Sequence, residues 1–177
     1  YMAAFAMSAI PIKSITPSNQ LSYVARLASN DQGILIAGDA GFVDFKPRHG
    51  GYYAQLLQSL LPLHVIQVAH HGGNNAHFYR VLLEAGYAEQ EDKSYLLLSH
   101  ATDDKHRPSK EFGMFIEAVR HEGDDLRLLF TSRPESSKVR DYKEIINPPV
   151  GGVADVGDIR LSLNRADWVV KAHAIHV

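Results

Sequence analysis

Apolar and polar residues alternate or recur at helical spacing along the chain, and this pattern predicts strands alternating with helices. LSYVARLAS (21–29) and ILIAGDAG (34–41) indicate the two strands of a hairpin, separated by a turn rich in Asn, Asp and Gly. YYAQLLQSLLP (52–62) has apolar residues at helical spacing and predicts a helix that stops at Pro62. LHVIQVA (63–69) is mostly apolar, which is typical of a strand buried on both faces.

The rest of the chain continues this alternation. It predicts helices at AHFYRVLLEAG (76–86) and PSKEFGMFIEAVRHEG (108–123), and strands at YLLLSH (95–100), DLRLLFTS (125–132), DIRLSLN (158–164) and WVVKAHAIHV (168–177). A polar loop over about 133–157 precedes the last two strands. Strands that alternate with helices are typical of βαβ units, so the pattern predicts an α/β fold.

Composition places this pattern in one globular unit. The 177 residues, 45% of them hydrophobic, fit a single domain over residues 1–177. No stretch reaches the roughly 20 apolar residues of a membrane span, and we expect no membrane partner. The net charge of −2 excludes a general attraction to nucleic acid, so an anionic substrate would need local features to hold it.

The absence of cysteine excludes disulfides and thiolate metal sites. We therefore expect a cytoplasmic location, where disulfides are rare. Ten histidines are available, and His and Asp would be the natural ligands of any metal ion.

Chemically active side chains occur where the predicted strands end. Asp39, the pair His70-His71, and His100 each follow an apolar run. Ligands in open α/β sheets bind outside the carboxyl ends of the strands. This convergence is the main signal for a site.

Each of these residues also has a purely structural interpretation. Asp39 needs a cation or hydrogen-bond donors, and it could instead cap its own turn. His70 and His71 end a predicted strand and so point to opposite faces; only one would be a metal ligand, and the other could orient it or contact substrate. The alternative is two turn histidines without a ligand. Gly72-Gly73 would let the chain turn, and Asn74 or Asn75 could cap the next helix.

His106 stands just before a predicted helix, in DDKHRPSKEF. With Arg107 and Ser109 it could hold a phosphate or carboxylate, because helix N-termini favour anions. The alternative is an exposed loop histidine.

Taken in order, four motifs resemble the second half of the metallo-β-lactamase hydrolase fold. The nearest resemblance is to the hydrolase domain of DNA-uptake competence proteins and its stand-alone relatives. The similarity covers about residues 15 to 121, and the His-His-Gly turn shortly after Gly-Asp is its specific part. The matching residues are Asn19 and Ser22 for an Asn-x-x-Ser pair that opens a strand, Gly38 and Asp39 for Gly-Asp, His70 to Gly72 for His-His-Gly, and His106 with Pro108 for His-x-Pro.

This resemblance implies a metal-dependent hydrolase in which a metal-activated water attacks the substrate, with a phosphodiester of a small molecule or nucleic acid as the expected target. Asp39 would bridge two zinc ions, with manganese as the alternative metal, and His70 or His71 would bind the second ion. Asp39 and His106 would be the catalytic residues, with His106 stabilising charge on the substrate. Lactams, thioesters and lactones are alternative substrates, because a metal hydroxide also attacks carbonyl groups.

The principal ligand motif of that family, His-x-His-x-Asp-His, has no match in the chain. We therefore expect a fragment: the C-terminal half of the αββα sandwich, a mixed sheet with helices, whose N-terminal half lies elsewhere. A second hypothesis is a non-catalytic half-domain that assembles with a missing partner half or with itself. A third is an unrelated α/β binding module, which predicts that Asp39 lies far from His70 and His71.

Overall fold

The computed structural model describes residues 16–43, 51–99, 106–120, 126–131, 157–165 and 167–174. Its helices are α1 (Pro17–Gln20), α2 (Tyr52–Leu60), α3 (Ala76–Glu84) and α4 (Lys110–Val119), with 3₁₀ turns at Ala69–Gly72 and Tyr87–Glu89. Its strands are β1 (Ala25–Ser29), β2 (Gln32–Ile36), β3 (Val65–Gln67), β4 (Tyr95–Leu98), β5 (Arg127–Phe130), β6 (Gly157–Asn164) and β7 (Asp167–Ala174). His100 and most of the predicted polar loop lie outside the described residues.

The predicted hairpin is present, and its turn residues explain its geometry. Ser29 pairs with Gln32 across the turn, and β1 runs antiparallel to β2. Asn30 and Asp31, between them, have φ angles of 48° and 62°. A two-residue hairpin turn with two left-handed residues matches the twist of the strands, and Asn and Asp tolerate that conformation.

A five-stranded sheet forms the centre of the fold, in the order β1-β2-β3-β4-β5. Strands β2 to β5 are parallel, and β1 is antiparallel to its neighbour. Each parallel strand lies next to its predecessor in the chain, so successive right-handed crossovers place their helices on one face. The predicted α/β class with a mixed sheet is confirmed at this level.

The helical face holds the main core. Side chains from β2 to β5 pack there against α2, α3 and α4. Fully burying one such side chain contributes about 1.5–3 kcal/mol. The cluster includes Leu35, Ile66, Leu96 and Leu128 from the sheet, and Leu57, Val81, Phe112 and Phe115 from the helices.

The hairpin of β6 and β7 covers part of the opposite face. Leu161, Trp168 and Val170 of the hairpin pack against Val65, Tyr95 and Leu129 of the sheet. The indole nitrogen of Trp168 also donates a hydrogen bond of 2.8 Å to Oε1 of Gln32. Within the described ranges, no helix is long and apolar enough to cross a membrane.

Candidate functional site

Two neighbouring strand ends bring the predicted residues together. Strands β2 and β3 run parallel and pair through Ile36 and Gln67 at their ends. Asp39 follows the first strand and the histidine pair follows the second, so both segments lie at the carboxyl edge of the sheet. The backbone N–H of His70 donates to the carbonyl of Gly38 at 3.0 Å and joins the two segments.

Asp39 and His71 face each other across this edge. Nε2 of His71 lies 4.0 Å from Oδ1 of Asp39, and the two side chains are 43% and 37% exposed. The hypothesis of an unrelated binding module expects these residues to be far apart, which does not agree with this distance. A metal ion or a substrate has access to both side chains.

The hydrogen bond at Nδ1 of His71 determines which ring nitrogen carries the proton. Nδ1 lies 2.7 Å from the carbonyl oxygen of Ser99, directly after β4. A carbonyl only accepts hydrogen bonds, so Nδ1 carries the proton and the Nε2 of a neutral ring offers a lone pair toward Asp39. Metal-binding histidines are oriented in this way, by donation of the other ring N–H to a carbonyl or carboxylate.

His70 has a different environment. Its Nε2 lies 3.3 Å from the guanidinium Nη2 of Arg107. Because a guanidinium only donates, Nε2 of His70 is the acceptor. Burial lowers the pKa of His70, and the charge of Arg107 lowers it further, whereas Asp39 opposes this effect. The net shift favours the neutral ring, whose Nε2 is engaged by Arg107.

The backbone of the two histidines differs from the predicted strand end. His70 and His71 have φ angles of 52° and 54°, and Gly72 follows at 71°, so three consecutive residues are left-handed. The prediction that strand alternation separates the two side chains is wrong, because β3 ends at Gln67 and a left-handed turn separates them instead. A left-handed non-glycine residue costs about 1–2 kcal/mol, and such strain is concentrated at functional sites.

The glycines after the pair allow close packing. A Cβ on Gly72 would lie 2.7 Å from Cδ1 of Leu98, and one on Gly73 would lie 2.9 Å from the carbonyl oxygen of His70. The carbonyl of Gly72 accepts a 2.7 Å hydrogen bond from the N–H of Ser109, the N-cap of α4. The turn is thereby attached to the start of that helix.

The remaining predicted residues lie around this centre. His106 is exposed and precedes Arg107, whose side chain reaches His70. Ser109 caps α4, since its hydroxyl accepts the N–H of Phe112 at 3.3 Å. Arg107 and Ser109 thus contact the turn at His70–Gly72 directly.

Two expectations about asparagines are corrected. Asn75 occupies the N-cap position of α3 but makes no side-chain cap; its Nδ2 instead donates to the carbonyl of Ala40 at 2.8 Å. The Asn19–Ser22 pair precedes β1 and does not open it, because Asn19 lies in α1. Ser22 packs beside the Asp39 turn, with its Cβ 3.5 Å from where a Cβ of Gly38 would be.

Gln67 supports the site and is not singled out by the sequence pattern. Its Oε1 accepts hydrogen bonds from the backbone N–H groups of Ala37 and Gly38, at 2.9 and 2.8 Å. A polar residue in the apolar run VIQVA is the signal that could have identified it, because a buried polar group needs partners.

The described residues provide part of a metal site. No group of three or more His, Asp or Glu side chains suited to a metal ion occurs among them. Asp39 and His71 fit as two ligands: zinc bonds of about 2.0–2.2 Å separate tetrahedral ligand atoms by about 3.3–3.6 Å. The observed 4.0 Å needs only a small adjustment.

Comparison of the chain with protein-family models, curated proteins and solved structures finds no match.

Proposed function

We propose that the chain is the C-terminal half of a metal-dependent hydrolase of the metallo-β-lactamase fold, acting on phosphodiesters. The observation that carries this proposal is the approach of Nε2 of His71 to Asp39, with Nδ1 held by the carbonyl of Ser99. That tautomer suits a metal ligand. The four ordered motifs support the same function.

Asp39 and His71 would hold the metal in this proposal. The carboxylate of Asp39 offers two oxygens, so it can contact two ions about 3.5–4 Å apart. Bound zinc, or manganese in its place, would lower the pKa of a water molecule and polarise the group under attack. The remaining ligands would come from outside the described residues.

The cationic side of the site supports a phosphodiester substrate. Arg107 is half-buried next to the turn and is held against His70. A guanidinium matches the geometry of phosphate oxygens and is always charged. His106, exposed beside Arg107, would stabilise charge on the substrate.

Metal titration of three asparagine variants tests the assignment. His71→Asn and His70→Asn are a matched pair, because both positions are left-handed and asparagine tolerates that conformation. We expect the wild-type chain to bind about one Co²⁺ or Zn²⁺, and Asp39→Asn and His71→Asn to weaken affinity at least about tenfold. His70→Asn should have a smaller effect. Binding of less than one ion per chain, unchanged by Asp39→Asn, would contradict the proposal.

A second candidate is the non-catalytic half-domain, and exposed apolar residues on the sheet favour it. Leu27 and Ile36 are 52% and 42% exposed. The pairing of Leu27 with Ile34, which packs against the hairpin, places both residues on the hairpin side of the sheet. This candidate predicts self-association that Leu27→Glu abolishes, measured by light scattering, with metal binding irrelevant to assembly. If the chain stays monomeric at all concentrations, self-association is excluded, and only a separate partner half could cover Leu27 and Ile36.

A further inference from the structure

The turn that carries Asp39 begins where the main-chain ladder between β2 and β3 ends. Ile36 and Gln67 form the last pair of that ladder. Beyond it, the N–H of Val68 donates to Leu97 of β4 at 2.9 Å and the chain enters the 3₁₀ turn at Ala69, so no further residue pair joins β3 to β2. The N–H groups of Ala37 and Gly38 therefore need another acceptor, because a buried unpaired N–H is costly.

The side chain of Gln67 provides that acceptor. Its single Oε1 atom receives both N–H groups, and its Nε2 donates to the carbonyl of Val68 at 3.2 Å. The amide orientation follows from these partners, since only oxygen can accept two N–H groups. The glutamine thus extends the ladder by two residues, to the position immediately before Asp39.

The same turn is also held from its carbonyl side. Gly38 has a φ of 54°, and its carbonyl accepts the N–H of His70. Gly38 is therefore fixed by Gln67 through its N–H and by the histidine turn through its C=O. Asp39 is the next residue, so the position of its carboxylate relative to His71 depends on both contacts.

We infer that Gln67 is a positioning residue for metal binding: it holds the Ala37-Gly38 turn so that Asp39 faces His71. This inference rests on the proposed function. Gln67 does not itself contact the metal in this scheme; it acts through Asp39. Residues that orient ligands typically contribute 10–100-fold to metal affinity.

Substitution of Gln67 can be compared with a matched control in the same fold. Gln90 also bonds to the main chain through both amide atoms, with two bonds where Gln67 has three: it accepts from the N–H of Leu63 at 2.7 Å and donates to its carbonyl at 3.0 Å. Both glutamines are half-buried. Gln67→Leu and Gln90→Leu therefore remove similar contacts, but only the first lies beside Asp39. Gln67→Glu keeps an oxygen that accepts both N–H groups and loses only the amide donor to the Val68 carbonyl.

The experiment measures Co²⁺ affinity by absorption titration and amide hydrogen exchange by NMR in the full chain. We expect Gln67→Leu to weaken Co²⁺ binding by about 10–100-fold and to speed exchange at Ala37 and Gly38. Gln67→Glu should restore slow exchange and most of the Co²⁺ affinity, because its carboxylate accepts both bonds. Gln90→Leu should lower the melting temperature but leave Co²⁺ affinity unchanged.

Two results would overturn the inference while leaving the proposed function intact. One is a wild-type chain that binds Co²⁺ with Gln67→Leu weakening it no more than Gln90→Leu. The other is a Gln67→Glu variant that regains slow exchange but not affinity. A wild-type chain that binds no Co²⁺ would overturn the proposed function and this inference together, and it is recognised by the failure of the unsubstituted protein.

Discussion

In the turn at His70–Gly72, the contacts of each histidine determine the role that its ring can have. His70 and His71 are adjacent and share the same backbone conformation, yet one faces Arg107 and the other faces Asp39. Only His71 combines a fixed Nδ1 proton with an Nε2 directed at a carboxylate. The strain of the two left-handed histidines is balanced by these contacts and by the attachment of Gly72 to Ser109.

Gly72 should tolerate a side chain less well than Gly86, a left-handed glycine with more space around it. Gly72→Ala combines a φ of +71° with a Cβ that would lie 2.7 Å from Leu98, whereas the control Gly86→Ala has a φ of +91° and 3.7 Å to its nearest neighbour. We expect both variants to lower the free energy of unfolding, and Gly72→Ala to cost about 1–3 kcal/mol more because of overpacking. Urea denaturation measures the difference; equal losses in the two variants would contradict it.

Among the elements, β3 connects the sheet and the site. His64, directly before β3, is buried. Its Nδ1 accepts the N–H of Gly33 at 3.0 Å, and its backbone N–H donates to the carbonyl of Gly33. Gln67, at the end of β3, likewise accepts backbone N–H groups, those of Ala37 and Gly38 after β2. Side chains at both ends of this short strand therefore supplement its main-chain pairing with β2.

His64 should make stability depend on pH. Burial lowers the pKa of His64 below its usual 6.5, an effect that Arg26 increases and Asp92 opposes. The unfolded chain then binds the proton more readily, so this contribution is present above pH 6.5 and is lost as pH falls through the lower folded pKa. We expect His64→Gln, whose oxygen can accept the same N–H, to lose less stability than wild type between pH 7.5 and 5.5.

Chemical denaturation at a series of pH values measures the free energy of unfolding of both proteins. For each protein, the loss of stability is taken relative to its value at pH 7.5. Parallel stability curves for wild type and His64→Gln across this range would show that His64 does not cause the dependence.

The hydrophobic pattern predicts the helices and strands closely, and Pro and Gly residues explain where the helices end. The predicted helix at 52–62 is observed as Tyr52–Leu60, since Pro62 prevents its continuation. The helix predicted to end at Gly86 ends at Glu84, with Gly86 left-handed beyond it. Strand β3 is shorter than the apolar run LHVIQVA that predicts it, because Val68 keeps only a bond to β4 and Ala69 begins the 3₁₀ turn. The hydrophobic pattern indicates which residues are buried, and buried residues continue beyond the last residue of β3 that pairs with β2.

At the scale of the molecule, the sheet has two unequal faces. The helices cover one face from β2 to β5, and the hairpin of β6 and β7 covers part of the other. Leu27 and Ile36 remain partly exposed on that second face. The docking of the hairpin thus completes part of a second layer, and the remaining part is where a partner half would pack in the proposed fold.

The hairpin should depend on Trp168 for its place on the sheet. Trp168→Ala removes its packing on the sheet and its bond to Gln32, and we expect a loss of about 1–3 kcal/mol, less than for a fully buried Trp. Val169, its neighbour, is more exposed, so Val169→Ala should change stability by less than about 0.5 kcal/mol. Hydrogen exchange at β6 and β7 measures the effect; equal protection in both variants would argue against this role.

The sequence by itself determines the alternation of strands and helices, the hairpin turn at Asn30-Asp31, and the presence of Asp39 and two histidines after strands. These features depend on local spacing and on the conformations that Gly, Pro, Asn and Asp allow. Only the tertiary structure decides that His71 faces Asp39, that Arg107 engages His70, and that Gln67 holds the intervening turn. These contacts join residues about 30 or more positions apart, and their geometry depends on how the strands pack side by side.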